Sequence, residues 1–368
     1  MTPTVSFIVP CFKLAHFLGE CLRSILAQSF EDFEILVMDD QSPDHTPEVV
    51  RGFADARIVH VRNEKNLGHL ANYNKGIASS RGRYVWLISA DDSLLAHHVL
   101  QRFVELMERE PKVGYVFCPV IPHVENREVD IAPYWYQGPD DAVFDGRAFL
   151  SRLKHGNCVP APSGMARRAC YERIGHFPLD LPYAGDWYLW SAFAAEFDVG
   201  YLAEPMVRYR WHDTNITHQL RNRDSKLLLK DDLAVLWRIA RRLGDLSLHV
   251  DADEWWSQLI DRYAMSIAER EARGGDTGLS IADARASWER NVVDRKDRDR
   301  GAVGVYLTLA DRLYHQGQIR SSRALYWDAL SLAPSLPVGL KYVLACSGAP
   351  GVKLRKAATV ARRVLGAS

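Results

Sequence analysis

Charge of one sign is the first thing this sequence lacks: 46 Lys and Arg are matched by 46 Asp and Glu. Without a basic excess no long-range field draws in a polyanion, so nucleic acid is not an expected partner. No apolar run approaches the roughly 20 residues that a membrane-spanning helix needs. The opening MTPTVSFIVP has no basic segment ahead of its apolar residues and reads as a strand, not a signal peptide. Cys11, Cys21, Cys118, Cys158, Cys170 and Cys346 show neither C-x-x-C pairing nor zinc-ligand spacing. They read as small core residues kept reduced, and a cytoplasmic location is expected. Two nucleotide signatures are missing as well. No G-x-G-x-x-G follows the first apolar run and no G-x-x-x-x-G-K-[ST] occurs, which argues against a dinucleotide oxidoreductase and a P-loop nucleotidase.

What is present is alternation. Hydrophobic residues make up 47% and charged residues 25%, which excludes global disorder. The length allows one large domain with a smaller one, or two domains. Val5 to Val9 is a short apolar run stopped by Pro10. Leu14, Phe17, Leu18, Cys21, Leu22, Ile25 and Leu26 then form one face of an amphipathic helix. Phe33 to Met38 is a strand, and QSPDHTPEVVRGFA carries cap and N1-proline signals for a helix. Arg57 to Val61 predicts a strand, Leu70 to Ser80 a helix, Tyr84 to Ile88 a strand, Leu94 to Glu110 a helix and Val113 to Val120 a strand. Such alternation predicts an α/β fold with a parallel sheet and right-handed crossovers.

The stretch YVWLISADDS ends its apolar run in two adjacent carboxylates, Asp91 and Asp92. In an open α/β sheet, ligands bind beyond the carboxyl ends of the strands. Pro10–Phe12, Asp39–Asp40 and Asp91–Asp92 all fall at such ends, so three loops are expected to line one edge. Asp40 can accept from a base N–H. A divalent cation at Asp92 can neutralise phosphates where no glycine cradle exists. The plainer alternative is an exposed turn with Asp or Ser capping a helix.

The segments VSFIVPCFK, FEILVMDDQSPD and NEKNLGHLANYNKGIASSRGRYVWLISADDS are followed by PSGMARR, YAGDWYLW and VRYRWHDTNIT. In order and spacing they resemble a family 2 glycosyltransferase of the GT-A fold, over roughly residues 4–218. The resemblance implies a Rossmann-like, mostly parallel sheet flanked by helices, a nucleotide-sugar donor and a divalent metal, Mg or Mn. It implies inverting transfer to an acceptor hydroxyl. Pro10 and Phe12 would border the base, Asp40 would read it, and Asn66 and Asn74 would lie on the nucleotide side. Asp91 would sit near the ribose, and Asp92 would hold the metal bridging the diphosphate, with His212 close by. Asp186 in AGDW matches the catalytic base. Two departures stand out: Ser89 replaces the first acid of the usual D-x-D-D, and Phe12-Lys13 replaces an aromatic-Asn pair.

The chemistry also stands without the family. Breaking a sugar–phosphate bond needs a stabilised diphosphate and a base for the acceptor's proton. Asp186 opens an apolar helix whose N-terminus favours its charged form, although an N-cap role alone explains it too. Arg208 and Arg210 alternate on one strand and face either the diphosphate or core partners. Trp187 is a candidate acceptor contact, with core packing as the alternative. Residues 119–160, including APYWYQGPDD, lack periodicity and predict an acceptor-side loop or lid, with PSGMARR as a strand bordering the acceptor pocket.

Beyond about residue 220 the periodicity becomes helical. One tetratricopeptide-like hairpin is expected near 303–346, packing on the catalytic domain or making a homodimer. ERNVVDRKDRDR reads as a solvated helix end or linker. Val352 to Leu365 is basic and amphipathic, suited to anionic lipid or to plain exposure. The expected division is a GT-A domain at 1–220 and a helical region at 221–368. The expected activity is inverting, metal-dependent sugar transfer in building a surface polysaccharide or glycan. Its acceptor is a glycan or lipid-linked molecule at the inner membrane face. The rivals are a nucleotidyltransferase or nucleotide-sugar hydrolase on the same fold, and a non-catalytic glycan-binding scaffold.

Overall fold

The computed structural model describes residues 2–124, 127–128, 136–212, 215–216, 219–220, 226–273, 279–280, 282–283, 286 and 306–332. The chain divides into two compact units, residues 1–223 with 242–251 and residues 224–241 with 252–368.

In the first unit strands and helices alternate. They are β1 (Val5–Cys11), α1 (Ala15–Leu26), β2 (Phe33–Asp39), α2 (Thr46–Arg51), β3 (Ile58–Arg62), α3 (His69–Ser79), β4 (Tyr84–Leu87), β5 (Ser93–Leu94), α4 (Val99–Arg109), β6 (Val113–Phe117) and β7 (Val120–Val124). Then come β8 (Arg127–Glu128), β9 (Ala142–Phe144), α5 (Gly146–Leu153), β10 (Met165–Arg167), α6 (Arg168–Ile174), α7 (Gly185–Ala194), β11 (Asp198–Tyr201) and β12 (Val207–Trp211). Every residue of β1 and β2 is buried, as expected of strands covered on both faces by helices.

An eight-stranded sheet runs in the order β3-β2-β1-β4-β10-β6-β11-β9. Neighbours among β1 to β4 are parallel, and so are β6 and β11. β10 is antiparallel to both its neighbours, and β9 is antiparallel to β11. The mostly parallel α/β architecture is therefore the observed one. A second, four-stranded sheet, β5-β12-β7-β8, carries β12 between β5 and β7.

Several predicted boundaries move. The single strand expected at Val113 to Val120 is two strands in two sheets. Pro119, which has no N–H to donate, stands between them. Leu94 belongs to β5, paired with Val207, and α4 starts only at Val99. The supposed loop at 119–160 contains β7, β9 and α5, whose start is capped by Asp145 accepting from the Ala148 amide at 3.0 Å. PSGMARR supplies the expected strand, β10, which lies in the middle of the sheet with Met165 and Ala166 fully buried. Strands of three residues are too short for a period to register.

The second unit contains helices Leu227–Asp245 and His249–Arg273 (both in part) and Ile319–Leu332, and residues 306–315 are helical. The chain turns at Gly317 (φ 82°), and Ser322 Oγ donates to the Ala310 carbonyl at 2.8 Å, closing a helical hairpin over the described part of 303–346. The expectations for ERNVVDRKDRDR, for Val352 to Leu365 and for residues 125–126 and 129–135 of the expected lid lie outside the described residues. No helix among the described residues is long and apolar enough to cross a membrane. Cys11, Cys21, Cys118 and Cys170 are buried and unpaired, Cys158 is half-buried and unpaired, and Cys346 lies outside the described residues.

Gly82 permits the close approach that seats β4 beside β1: a Cβ there would lie 2.5 Å from the Ser6 nitrogen and 2.6 Å from the Val5 carbonyl carbon. Backbone cannot yield cheaply. Gly82→Ala is expected to cost about 1–3 kcal/mol in equilibrium denaturation. Gly244→Ala, whose Cβ would meet nothing within 4 Å, is expected to add up to about 1 kcal/mol.

Candidate active site

The carboxyl ends of β1, β2 and β4 meet. The Asp40 amide donates to the Cys11 carbonyl at 3.0 Å, and the Ala90 amide to the Pro10 carbonyl at 3.2 Å. The three polar strand ends thus lie side by side, with Pro10 buried inside β1 and Phe12 39% exposed beyond it. Lys13, in the left-handed region at φ 61°, places its ammonium 5.3 Å from the centre of the Phe12 ring.

Asp40 is buried and organises the loop after β3. Its Oδ1 accepts from the Leu67 amide and from Asn63 Nδ2, both at 2.8 Å, and its Oδ2 accepts from the Gly68 amide at 3.0 Å. Asn66 lies in that loop, donating to the Asp40 carbonyl at 3.3 Å and accepting from the Gly68 amide at 3.1 Å. Asn74, expected on the nucleotide side, turns away from it. Its amide is bonded twice to the backbone of Phe177.

Three supports here were not anticipated. Asp39 is fully buried and accepts from the Ser42 amide and from Arg62, with His60 Nε2 at 3.1 Å. Asn72 joins Asn63 to the Met38 carbonyl. Burial alone would raise Asp44, but hydrogen bonds from Ser42, Thr46 and the Ala15 and Thr46 amides bring its pKa down to about 2. The cap signal in QSPDHTP and the place of Asp39 at a strand end were the hints of this.

Asp91 and Asp92 are 7% and 3% exposed. The Arg210 amide donates to Asp92 Oδ1 at 3.0 Å, and Arg210 Nε donates to the Asp91 carbonyl at 2.9 Å. His212 Nε2 lies 2.9 Å from Asp91 Oδ2, which also accepts from Asn215 at 3.2 Å. His212, expected to share a cation with Asp92, is therefore set on the other acid, because it follows Arg210 on the same extended segment. Arg208 and Arg210 take partners on α1: each donates to Glu20 at 2.9 Å, and Arg210 stacks on Phe17 at 4.5 Å. Burial opposes ionisation of Glu20, yet Arg210 and Arg208 outweigh it and lower its pKa.

The doublet's own donor set bears on a metal. Among the described residues the buried Asp91 Oδ1 has no hydrogen-bond partner. Burial, and then the Asp91 charge, pushes Asp92 well above the usual carboxylate range, against a smaller opposing effect of Arg210. Two desolvated carboxylates with a spare oxygen suit a hard divalent cation. Among the described residues no cluster of three or more His, Cys, Asp or Glu is arranged as a ready-made cage.

Asp186 lies in the first turn of α7, half-buried, with Oδ2 accepting from Asn157 at 2.9 Å. Tyr73 and Tyr209 sense both Asp186 and the doublet. Burial raises both phenols, and both also feel Asp91, Asp92 and Asp186. The charges of the doublet and of Asp186 therefore act on the same two phenols. Trp187 does not join them. It is 2% exposed, with its indole N–H donating to the Leu153 carbonyl at 2.8 Å, so it is a core residue and not an acceptor contact.

Residues 6–170 match the family model described as Glycosyl transferase family 2. The glycosyltransferase RT0329 of Rickettsia typhi is 26% identical over 226 residues, 60% of this chain and 68% of that protein. The Bacillus subtilis glycosyltransferase EpsJ is 29% identical over 225 residues, 59% of this chain and 64% of its own length. The matched region thus spans about two thirds of these relatives. S. aureus TarS 1–349, solved in complex with UDP-GlcNAc, has a TM-score of 0.59 at 15% identity, covering 93% of this chain and 89% of that one. That likeness speaks for the fold.

A carboxyl group whose pKa is raised by folding contributes stability below its unfolded pKa and loses it as the pH climbs through the folded value. Asp92→Asn imitates the protonated form. In EDTA it is expected to raise the Tm at about pH 8, by roughly 2–4 °C per kcal/mol, and to leave it nearly unchanged at about pH 4. A lower Tm at the higher pH would show that the doublet is not under strain.

Proposed function

Given that the chain belongs to glycosyl transferase family 2, we propose that it transfers a sugar, with inversion, from a nucleoside diphosphate sugar to an acceptor hydroxyl. The observation that carries this reading is the buried doublet Asp91–Asp92 where the carboxyl ends of β1, β2 and β4 meet, with Asp186 in the first turn of α7. One group answers the leaving diphosphate and the other the incoming alcohol. Asp40 with Pro10 and Phe12 reads and flanks the base, Asn66 supports that loop, and Asp91 lies toward the ribose. Asp92 and Asp91 hold Mg²⁺ or Mn²⁺, which when bound supplies Lewis-acid stabilisation of the diphosphate.

Asp186 takes the acceptor's proton as its oxygen attacks the anomeric carbon. The bond from that carbon to the diphosphate oxygen breaks, and the nucleoside diphosphate leaves with the electron pair. Asn157 donates to Oδ2 and the Trp187 amide to Oδ1, at 2.9 and 2.7 Å, which fixes the orientation of the carboxylate that takes the proton. In-line displacement inverts the anomeric configuration.

We assign the role to surface polysaccharide or glycan assembly at the cytoplasmic side, on a glycan or lipid-linked acceptor, with peripheral membrane attachment and homodimer formation as attributes of the C-terminal region. A nucleotidyltransferase or hydrolase needs no base facing an acceptor, and a scaffold needs no desolvated carboxylate doublet.

A thermal-shift screen of nucleotide sugars, begun with UDP-GlcNAc, is expected to give stabilisation that depends on Mn²⁺. Asp92→Asn should abolish that dependence. Asp186→Asn should keep donor binding and lose transfer by about 10²–10⁴-fold. Near-normal transfer by Asp186→Asn would overturn the base assignment, and acceptor-independent donor cleavage in the parent protein would favour the hydrolase.

A further inference from the structure

α3 begins at the loop gathered by Asp40 and cannot drift from the sheet. A Cβ on its Gly76 would come within 2.5 Å of Ile8 Cγ2 on β1, and Asn72 ties it to Asn63 and to the Met38 carbonyl. Its other side reaches the segment leading into α7. The Phe177 amide donates to Asn74 Oδ1 at 2.9 Å, and Asn74 Nδ2 donates to the Phe177 carbonyl at 2.8 Å. His69 Nε2 lies 2.8 Å from the Pro182 carbonyl; a carbonyl only accepts, so that nitrogen carries the hydrogen. Between them Tyr73 packs edge-on against both His69 and Phe177, at 5.6 Å each. Two side chains of one helix thus hold the backbone at both ends of residues 177–182, with Tyr73 packed between them, four residues before Asp186.

We propose that α3 is the gauge that sets the distance between the donor site and the base, with Asn74 and His69 as positioning residues acting through Phe177 and Pro182 on Asp186. The inference rests on the reading of Asp186 as base. It gives Asn74 a role different from contact with the nucleotide. A side chain that touched the donor would change its affinity. A gauge changes turnover, since misplacement of a reacting group by about 1 Å can cost some 10²-fold.

The test uses the full chain, with Asn74→Ala, Asp186→Asn and the double variant, the donor identified by the thermal-shift screen, and UDP as the binding probe. Asn74→Ala is expected to lower kcat about 10–100-fold, to leave the UDP Kd within about twofold, and to cost little more in the Asp186→Asn background, the non-additivity of residues acting as a unit. His69→Phe should lower kcat in the same way, whereas His69→Gln, which keeps a donor, should retain most of it. That pair tests the inference should Asn74→Ala fail to fold. Unchanged kcat in Asn74→Ala and His69→Phe, a loss confined to UDP affinity, or a loss that multiplies with Asp186→Asn would overturn the gauge alone. Near-normal transfer by Asp186→Asn would overturn the base reading, and the gauge with it.

Discussion

Burying two carboxylates next to each other is the constraint on which the rest of this site depends. Each loses hydration and each repels the other, so the surrounding structure has to answer them. Strand β12 does so from one side: Arg210 gives its amide to Asp92 and its guanidinium to the Asp91 backbone, while His212 and Asn215 take Asp91 Oδ2. Glu20 then fixes both Arg208 and Arg210. Among the described residues of this cluster three carboxylates face two guanidiniums, and one buried oxygen of Asp91 is left over. The balance falls short by about one positive charge, which the proposed cation would supply.

The small second sheet follows from the same need. Arg210 can reach the doublet only because β12 pairs with β5, the two residues that directly follow Asp92. The register Arg208 with Ser93 carries the next residues of β12 past Asp91 and Asp92. Sheet pairing here serves electrostatics as much as it extends the fold.

The alternation of β1 to α4 was legible because each element is long and has a clear period, and the convergence of Pro10, Asp40 and Asp91 follows from strand polarity alone. The sequence also marked Asp186 at a helix start, where it is. What could not be read was partnership across distance. Nothing local tells that Asn74 turns to Phe177, 103 residues away, or that Glu20 pairs with Arg210, 190 residues away. The same limit hid the sheet change at Pro119 and made Trp187 look available. Within a helix apolar all round, such as α7, the period does not say which face is inside.

The three-residue strand β10 has an implication for synthesis. β4 and β6 are not neighbours; each pairs with opposite sides of β10. Until residues 165–167 have left the ribosome, the half-sheet β3-β2-β1-β4 ends in a bare, fully apolar edge, and β6 offers another. Such edges invite pairing with foreign strands. The nascent chain is therefore most vulnerable to aggregation between the emergence of β4 and that of β10, and the arrival of a segment only three residues long ends that interval by welding the two halves into one sheet.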